Sequence, residues 1–303
     1  MALPSVRIFL APVSAFGPRL IDCMAEFYAQ PLVFTPGDTQ FVYVVSQQNI
    51  AYILDAKTGE ILVSRQLMIP FLVTPDLQGC NDVADCVGST ATGVIDPDTN
   101  TWYLTTKTYV DQTKTTPQGL AAGRYYIHAL DALTLASKPN FPIALEGLKA
   151  DNAQWRVFEG GKHHQRPALM QLGDFVYAGF ASHCVQWNFT GWVIGWHATE
   201  GRIVTKYAME GGKEITGIGG GIWMSGGGLS SDNPGRMFFA TGNGYASQLA
   251  DDPVPGRQPP TALEEAVVNM AVNADGSVTP TDCELCALRV FVKFGANREL
   301  III

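Results

Sequence analysis

The chain has 303 residues, of which 47% are hydrophobic and only 16% are charged, so it has ample material for a core and is not intrinsically disordered. Its 31 glycines and 18 prolines are spread along the chain, which favours many short strands joined by turns over long solvated helices. The net charge is −8 and no run of lysine or arginine occurs, so we expect no nucleic-acid partner.

Residues 1–24 form a segment without a clear structural pattern. No part of the chain reaches the 18 or more apolar residues that a spanning helix needs, so we expect no membrane span. Arg7 precedes a short apolar stretch, Ile8–Ala15, but Pro12 interrupts it. This is not a convincing signal peptide.

Four units with the same order of strands and turns follow, within residues 25–281. Each predicted strand is a run of about five aromatic and β-branched residues. The predicted strands are Phe41–Val45, Ala51–Leu54 and Glu60–Val63 in the first unit, Thr101–Thr105 and Tyr126–Leu130 in the second, Phe175–Gly179 and Trp192–Trp196 in the third, and Met237–Ala240 and Val267–Val272 in the fourth.

Each unit has a turn that begins at a corresponding position, namely Asp55, Asp131, His197 or Asn273. An Asp side chain accepts backbone N–H bonds two residues on, and a following Gly takes the positive φ that returns the chain. Strands that are apolar on both faces belong to sheets stacked face to face. The sequence therefore predicts an all-β fold, a β-propeller of about four blades. A jelly roll or a WD40-like propeller is the alternative.

Three segments carry a family resemblance: "FVYVVSQQNIAYILDAKTGEILVSRQL", "VGSTATGVIDPDTNTWYLTTKT" and "YYIHALDALTLASKP". They resemble the repeats of quinoprotein alcohol dehydrogenase-like propellers, which bind pyrroloquinoline quinone (PQQ). Such enzymes close their ring with eight blades, so the resemblance implies an incomplete ring and a truncated member of the family. Residues 282–303 depart from the pattern, and we expect an aberrant or disordered tail there. Uncovered blade faces predict poor solubility or self-association.

The segment "GGGIWMSGGGLSSDNPGRMFFATGNG" is similar to the Gly-Gly-x-x-Trp strand and Thr-Gly-Asn motif of those dehydrogenases. The resemblance implies that Trp223, with Gly221 and His183 near it, supports the flat PQQ ring, and that Asn243 ligates calcium. The family's calcium Glu has no counterpart in Ser182–Gln186, so Gln186 or His183 would have to replace it. The catalytic base has no identifiable counterpart, and the catalytic residues remain unassigned.

Simpler interpretations of the same residues stay open. Trp223 also suits packing between blades, and Asn243 lies between two glycines, as a turn residue often does. The run "HHQRP" also occurs in secreted quinoprotein-like propellers of unassigned function, which this chain resembles more closely. Its His163, His164 and Arg166 either face a funnel that binds an anion or form a polar rim.

Six cysteines and one glycosylation sequon bear on the compartment. Cys80 and Cys86 flank a five-residue loop, and we expect them to form a small disulfide ring. Asn188 opens the sequon Asn-Phe-Thr, a glycosylation site if the chain enters the secretory pathway. These features predict an extracellular or secretory location.

Two functions follow as expectations. The first is a secreted quinoprotein-like propeller that binds an unknown ligand or protein at its funnel, without demonstrable catalysis. The alternative is a PQQ- and calcium-dependent alcohol or sugar dehydrogenase, or a fragment of one.

Overall fold

The computed structural model describes residues 26–77, 79–80, 83, 85–184, 189–211, 219–244 and 263–282, and the structural statements below concern these residues. The N-terminal segment 1–24 and nearly all of the predicted tail lie outside them. The division of the chain at residues 24 and 281 therefore stays a prediction.

The first sheet contains four antiparallel strands in sequence order: β1 (Leu32–Phe34), β2 (Phe41–Val45), β3 (Ile50–Asp55) and β4 (Ile61–Gln66). A short connection follows, with the two paired strands β5 (Phe71–Leu72) and β6 (Cys86–Val87) and the one-turn helix α1 (Val73–Asp76) between them. Both strands predicted in the middle of this unit are confirmed, and the third begins one residue later than predicted.

The second sheet contains β7 (Val94–Asp96), β8 (Thr101–Tyr109), β9 (Gly123–Asp131) and β10 (Ile143–Ala144). The third contains β11 (His163–His164), β12 (Met170–Leu172), β13 (Phe175–Ser182), β14 (Trp192–His197) and β15 (Ile203–Ala208). In both sheets the long central strands pair as an antiparallel hairpin. The short β11 pairs with the far end of β13, which places His163 opposite Ser182.

The remaining strands are β16 (Gly219–Gly221), β17 (Arg236–Ala240), β18 (Gly242–Gly244), β19 (Val267–Val272) and β20 (Val278–Asp282). A fourth sheet forms from β17, β19 and β20, while β16 pairs with β18. The two strands predicted for this unit are confirmed.

Consecutive sheets pack face to face through three hydrophobic clusters. One joins the first sheet to the second through Tyr43 and Trp102, among others, and the next joins the second to the third through Ile127 and Ile194. The last joins the third sheet to the fourth, and Phe239 belongs to it. Each fully buried large apolar side chain contributes about 1.5–3 kcal/mol to the free energy of folding. This serial stacking of antiparallel sheets is that of propeller blades.

The third sheet shows why its strands are apolar on both faces. Val176 and Tyr177 are neighbours on β13 and point to opposite sides of the sheet. Val176 contacts the cluster shared with the second sheet, and Tyr177 the cluster shared with the fourth. A blade between two others has no face left for water.

The turn chemistry predicted for Asp55 is confirmed. One carboxylate oxygen of Asp55 accepts hydrogen bonds from the backbone N–H groups of Lys57 and Thr58 at 2.8 and 2.7 Å, and Gly59 has a φ of 75°. These bonds hold the pKa of Asp55 below its ordinary value. Asp131 accepts the corresponding bonds from Leu133 and Thr134 in the second sheet.

A tyrosine at the third position of its strand ties each of the first three blades to the next. The Tyr43 hydroxyl donates to the Ala132 carbonyl at 2.8 Å, Tyr103 to Ala198 at 3.1 Å, and Tyr177 to Gly276 at 2.9 Å. All three acceptors lie in the turn that closes the next unit. Phe238 occupies the same position of β17 in the fourth blade and has no hydroxyl.

We expect Tyr103→Phe to lower the free energy of unfolding by about 1–2 kcal/mol, because it leaves the buried Ala198 carbonyl without its donor. Urea unfolding followed by circular dichroism measures this. Phe238→Tyr is the matched control and changes stability by less than about 0.5 kcal/mol, since the described residues include no turn of a following unit that could accept its hydroxyl. Equal stability of Tyr103→Phe and wild type would contradict the role of the tie.

The fourth sheet has one covered face, and part of the outer face of the first sheet is exposed. In the fourth sheet Met237 and Phe239 are buried, whereas Arg236 and Ala240 on the other face are exposed. Val33 of the first sheet and Val267 of the fourth are 60% and 46% exposed. No hydrophobic cluster of the described residues joins these two sheets, so the ring they form is not closed.

Self-association through these faces stays a prediction. We expect the double variant Val33→Lys, Val267→Lys to shift the protein towards monomer in sedimentation velocity, because lysine disfavours apolar contact. Leu133→Lys is a control, since Leu133 is 48% exposed in a turn of the second blade. A wild-type protein that stays monomeric at high concentration would contradict the prediction.

No helix in the described part of the chain has the length and apolar character needed to cross a bilayer.

Candidate functional site

Several connecting segments meet around a cavity of about 360 Å³. Its lining combines flat aromatic groups, hydroxyls and one cation, and the residues are Tyr28, Val83, Thr90, His164, Arg166, Trp223 and Ser225. The sequence offered His164, Arg166 and Trp223 as candidates. The structure brings these three together.

Thr90 and His164 form a fixed hydrogen-bonded wall. The Thr90 hydroxyl donates to the Gln165 carbonyl at 2.8 Å and lies 2.9 Å from His164 Nε2. A threonine hydroxyl carries a single proton, so His164 Nε2 must be the donor to Thr90. The ring therefore carries a proton on Nε2, and its orientation is fixed by β11 and by Thr90.

His163, the other residue of β11, belongs to the frame behind the cavity. The Trp192 indole N–H donates to His163 Nε2 at 3.0 Å, and His163 Nδ1 lies 2.8 Å from the Glu159 carbonyl. An acceptor Nε2 requires the proton on Nδ1, which matches a neutral ring. Burial lowers the pKa of His163 to about 3, and Lys107 adds to this shift.

Lys107 is a buried cation that holds the segment before β11. Its ammonium donates to the carbonyls of Gly160, Gly161 and His163, each at 2.8 Å, and lies 4.6 Å from the centre of the Phe71 ring. Because three carbonyls converge on one ammonium, Lys107 positions the backbone from which His163 and His164 project.

His183 lies behind His164 and does not itself line the cavity. The two rings stack with their centres 4.4 Å apart and their planes 13° apart. Burial lowers the pKa of His183 well below its ordinary value, and the charge of Lys107 lowers it further. His183, one of the three residues predicted to hold a flat cofactor, therefore packs behind His164, and a role in cofactor binding stays a prediction.

The predicted Cys80–Cys86 ring is wrong. Cys80 forms its disulfide with Cys184, 104 residues away, and Cys86 is disulfide-bonded separately. Cys86 lies in β6, opposite Leu72, with its sulfur 3.9 Å from the Gln47 carbonyl. Pairing in the sheet thus directs Cys86 away from the loop that brings Cys80 to the residue after His183.

Trp223 lies two residues after the end of β16 and lines the cavity. Its ring meets that of His164 edge to face, with the centres 5.3 Å apart. Gly221 lies behind it: a Cβ on Gly221 would come within 3.1 Å of the Ala181 Cβ and 3.3 Å of the Trp223 indole nitrogen. Gly221 thus allows close packing and does not contact the cavity.

The turn after Trp223 has an unusual backbone. Met224 and Ser225 both have a φ of 47°, and Gly226 has a φ of 83°. Non-glycine residues in this left-handed region store strain, which is common at ligand-binding sites. The turn places Ser225 at the cavity.

Arg166 is the cation of the cavity. Its Nη1 donates to the Thr90 carbonyl at 3.1 Å and lies 3.5 Å from the Tyr28 carbonyl, and the guanidinium carbon is 5.8 Å from the Tyr28 ring centre. It forms no ion pair with any described carboxylate. Arg166 therefore lines the cavity, and binding of an anion there stays a prediction.

Three predicted residues are not tested. Asn243 lies in β18, which pairs with the strand of Gly221, but its side chain is not among those described. Gln186 and Asn188 lie outside the described residues altogether. Calcium ligation by Asn243 or Gln186 and glycosylation at Asn188 therefore stay predictions.

The lining residues do not fit a calcium ion. Calcium takes six to eight oxygen ligands and favours carboxylates. The described lining residues supply three hydroxyls, those of Tyr28, Thr90 and Ser225, and no carboxylate, and Arg166 places a positive charge beside them. No group of three or more His, Cys, Asp or Glu side chains suited to a metal occurs in the described parts of the chain. Trp223 suits contact with a planar ring, but the lining residues next to it are not suited to a calcium ion.

Sequence reasoning missed a buried carboxyl pair near β16. Glu210 and Glu264 are 1% and 3% exposed, and their carboxyl groups are hydrogen-bonded. Burial first, and then the charge of Glu264, raises the pKa of Glu210 to about 8, while Arg156 opposes the shift. Such a bond requires a shared proton. Nothing in the sequence pattern marks either residue.

We expect stability to fall as pH rises from about 4.5 to 8, because the folded state holds a proton on Glu210 that the unfolded chain releases. Glu210→Gln keeps a donor without the charge, so its urea midpoint should depend less on pH. The difference from wild type grows by at most about 1.4 kcal/mol per pH unit. Glu200→Gln, at an exposed turn, is the control. Parallel pH profiles for Glu210→Gln and wild type would refute the shared proton.

The fold and the cavity thus define an open β-propeller with a small site of aromatic, hydroxyl and guanidinium groups. No family model matches the chain, and no curated protein matches it. Solved structures do. A quinohemoprotein alcohol dehydrogenase from Pseudomonas putida HK5 is 12% identical, with a TM-score of 0.40, over 71% of this chain and 34% of that one.

Two further solved structures are also similar to this chain. A europium-containing methanol dehydrogenase is 15% identical, with a TM-score of 0.45, over 86% of this chain and 44% of that one. BamB from Moraxella catarrhalis is 17% identical, with a TM-score of 0.32, over 82% of this chain and 70% of that one. The chain spans less than half the length of the two dehydrogenases. Likeness at this level assigns no residue roles.

Proposed function

We propose that this protein is a ligand-binding propeller module whose cavity holds the flat body of a small molecule against Trp223. The observation that carries the proposal is the cavity itself, in which Trp223 and Tyr28 stand beside the hydroxyls of Thr90 and Ser225. Ligand sites typically combine apolar walls with a few fixed polar groups. The hydrogen bond between Thr90 and His164 keeps one polar group in place before any ligand arrives.

The proposal assigns no catalytic step. Oxidation of an alcohol with calcium-bound PQQ needs a base near the metal, and the lining residues that the structure describes contain no carboxylate. The dehydrogenase alternative would depend on Asn243, Gln186 and a base that the sequence does not identify. What supports a binding role is a cavity framed by groups that already hydrogen-bond one another.

Export from the cytosol is part of the same proposal. The disulfide of Cys80 with Cys184, and that of Cys86, support it because such bonds persist in oxidising compartments. The first bond also secures the loop behind the cavity, since Cys184 follows His183. Recovery of Cys80, Cys86 and Cys184 as free thiols from the native source would contradict this.

Tryptophan fluorescence tests the binding role. We expect quenching by the neutral flat compound quinoxaline and by PQQ in the presence of a calcium chelator, because both can lie against Trp223. The Trp223→Leu variant should lose most of the quenching. Trp155→Leu is the control, since Trp155 stacks on Arg156 away from the cavity lining.

The outcomes separate the two functions. Quenching without calcium supports the binding module. Quenching that requires calcium and comes with dye-linked alcohol oxidation would replace it with the dehydrogenase. If neither compound quenches at tens of micromolar, or if Trp223→Leu is quenched like wild type, the proposal fails.

A further inference from the structure

The disulfide of Cys86 has a partner that can be narrowed by elimination. Six cysteines occur in the sequence, and Cys80 is bonded to Cys184. Cys86 is bonded to another cysteine. The partner is one of the three cysteines that lie outside the described residues, Cys23, Cys283 and Cys286. The surroundings of Cys86 distinguish among these three.

Cys86 lies next to the chain segment that follows Cys23. The Cys86 sulfur is 3.9 Å from the Gln47 carbonyl oxygen, and the Gln47 N–H donates to the Glu26 carbonyl at 2.9 Å. A Cβ on Gly88 would clash with the same Gln47 oxygen, so the chain just after Cys86 packs tightly against Gln47. Cys86 and Glu26 therefore contact the same residue.

The chain is long enough for Cys23 to reach Cys86. Cys23 precedes Glu26 by three residues, and three extended residues span at most about 10 Å. The Cα atoms of two bonded cysteines usually lie about 5.5–6 Å apart. Since only Gln47 stands between Glu26 and Cys86, a disulfide to Cys23 needs no rearrangement of the described residues.

The other two cysteines follow a different part of the fold. Cys283 and Cys286 come after β20, the edge strand of the fourth sheet, and Val278 of β20 belongs to the cluster between the third and fourth sheets. The cluster next to Cys86 contains Val87, and Tyr28 packs against it. None of its described members comes from the fourth sheet. This packing favours Cys23.

A bond to Cys23 would act on one wall of the cavity. Residues 26–30, which we call the strap, form no regular strand. The Gln30 N–H donates to the Thr92 hydroxyl at 2.9 Å, and the Tyr28 hydroxyl donates to the Glu26 carboxylate at 2.6 Å. Tyr28 lines the cavity. A covalent bond three residues before the strap would fix the end of the segment that carries this wall.

We propose that Cys86 forms its disulfide with Cys23 and that this bond anchors the strap, and with it the Tyr28 wall of the cavity. Its formation converts two thiols into one disulfide. The two electrons and two protons pass to a low-molecular-weight disulfide such as oxidised glutathione, whose S–S bond breaks to give two thiols. The pairing is independent of the proposed function, whereas the anchoring of a cavity wall deepens that function.

Peptide mapping of the unreduced protein by mass spectrometry tests the pairing, after free thiols are blocked with N-ethylmaleimide. Trypsin cuts between Cys23 and Cys86, and Asp-N cuts before Asp82 and Asp85, which separates Cys86 from Cys80. We expect the peptide of Cys23 to be attached to that of Cys86 and to be released by reduction.

Three mapping results would overturn the inference. These are linkage of Cys86 to Cys283 or Cys286, linkage of Cys86 to a second copy of the chain, and recovery of Cys86 as a blocked thiol. A second copy would also appear as a dimer in electrophoresis without reductant, and the dimer would disappear on reduction.

Hydrogen exchange tests the anchoring without any ligand. We expect the amide of Gln30 to exchange about tenfold or more faster in Cys23→Ser than in wild type, because a segment with fewer constraints opens more often. Cys86→Ser removes the same bond and should give the same change. If Cys86→Ser does not fold, Cys23→Ser is sufficient.

The matched control is Cys283→Ser, which also removes a cysteine outside the described residues and should exchange like wild type at the strap. Exchange at Gln30 that is unchanged in Cys23→Ser would overturn the anchoring. So would equal acceleration in Cys283→Ser, because the effect would then not belong to the bond of Cys86.

Quinoxaline quenching separates the inference from the proposed function. Cys23→Ser should be quenched more weakly than wild type, since its Tyr28 wall is no longer fixed, whereas Cys283→Ser should be quenched like wild type. Equal quenching of Cys23→Ser and wild type would overturn the role of the bond at the cavity. If wild type is not quenched by quinoxaline or PQQ, the proposed function fails, and peptide mapping and hydrogen exchange still decide the pairing and the anchoring.

Discussion

The structure depends on a hydrogen bond from one blade to the turn of the next. Tyr43, Tyr103 and Tyr177 each point across the apolar interface and donate to a carbonyl of the following unit. Burial raises the pKa of Tyr43 to about 12, so its hydroxyl remains a donor at any physiological pH. Apolar contact alone permits sheets to slide, whereas a directional bond at the rim fixes the angle between neighbouring blades. The inner segments that surround the cavity are thereby held at defined positions.

Much of this fold could be predicted, because local chemistry determines it. Aromatic and β-branched runs gave the positions of the central strands, and the Asp side chain with a later Gly gave the turns. The prediction ended β8 at Thr105, where polar residues begin, but the strand continues to Tyr109. It continues because the ammonium of Lys107 finds three carbonyls inside the protein, and a partner of that kind is invisible in the sequence.

The site was predictable only in part. Trp223 was found through a motif. Arg166 was noted, but the sequence left open whether it faces a funnel or forms part of a polar rim. Thr90 and Tyr28 come from distant connections without any motif, and only the folded chain brings them to the same cavity. The cysteine pairing was wrong for a related reason: short separation in the sequence is a weak guide when one of the two cysteines belongs to a paired strand.

The histidines of the frame give the cavity a tolerance to acid. His163 accepts from Trp192 as a neutral ring, and its pKa of about 3 means that it keeps this role far below neutral pH. Many proteins use histidine to sense the acidity of an organelle or a tissue. Here His163 and His183 are buried beside Lys107 and do the opposite. They keep the same pattern of donors and acceptors in mildly acid and neutral surroundings, so the hydrogen bonds of this frame do not change across that range.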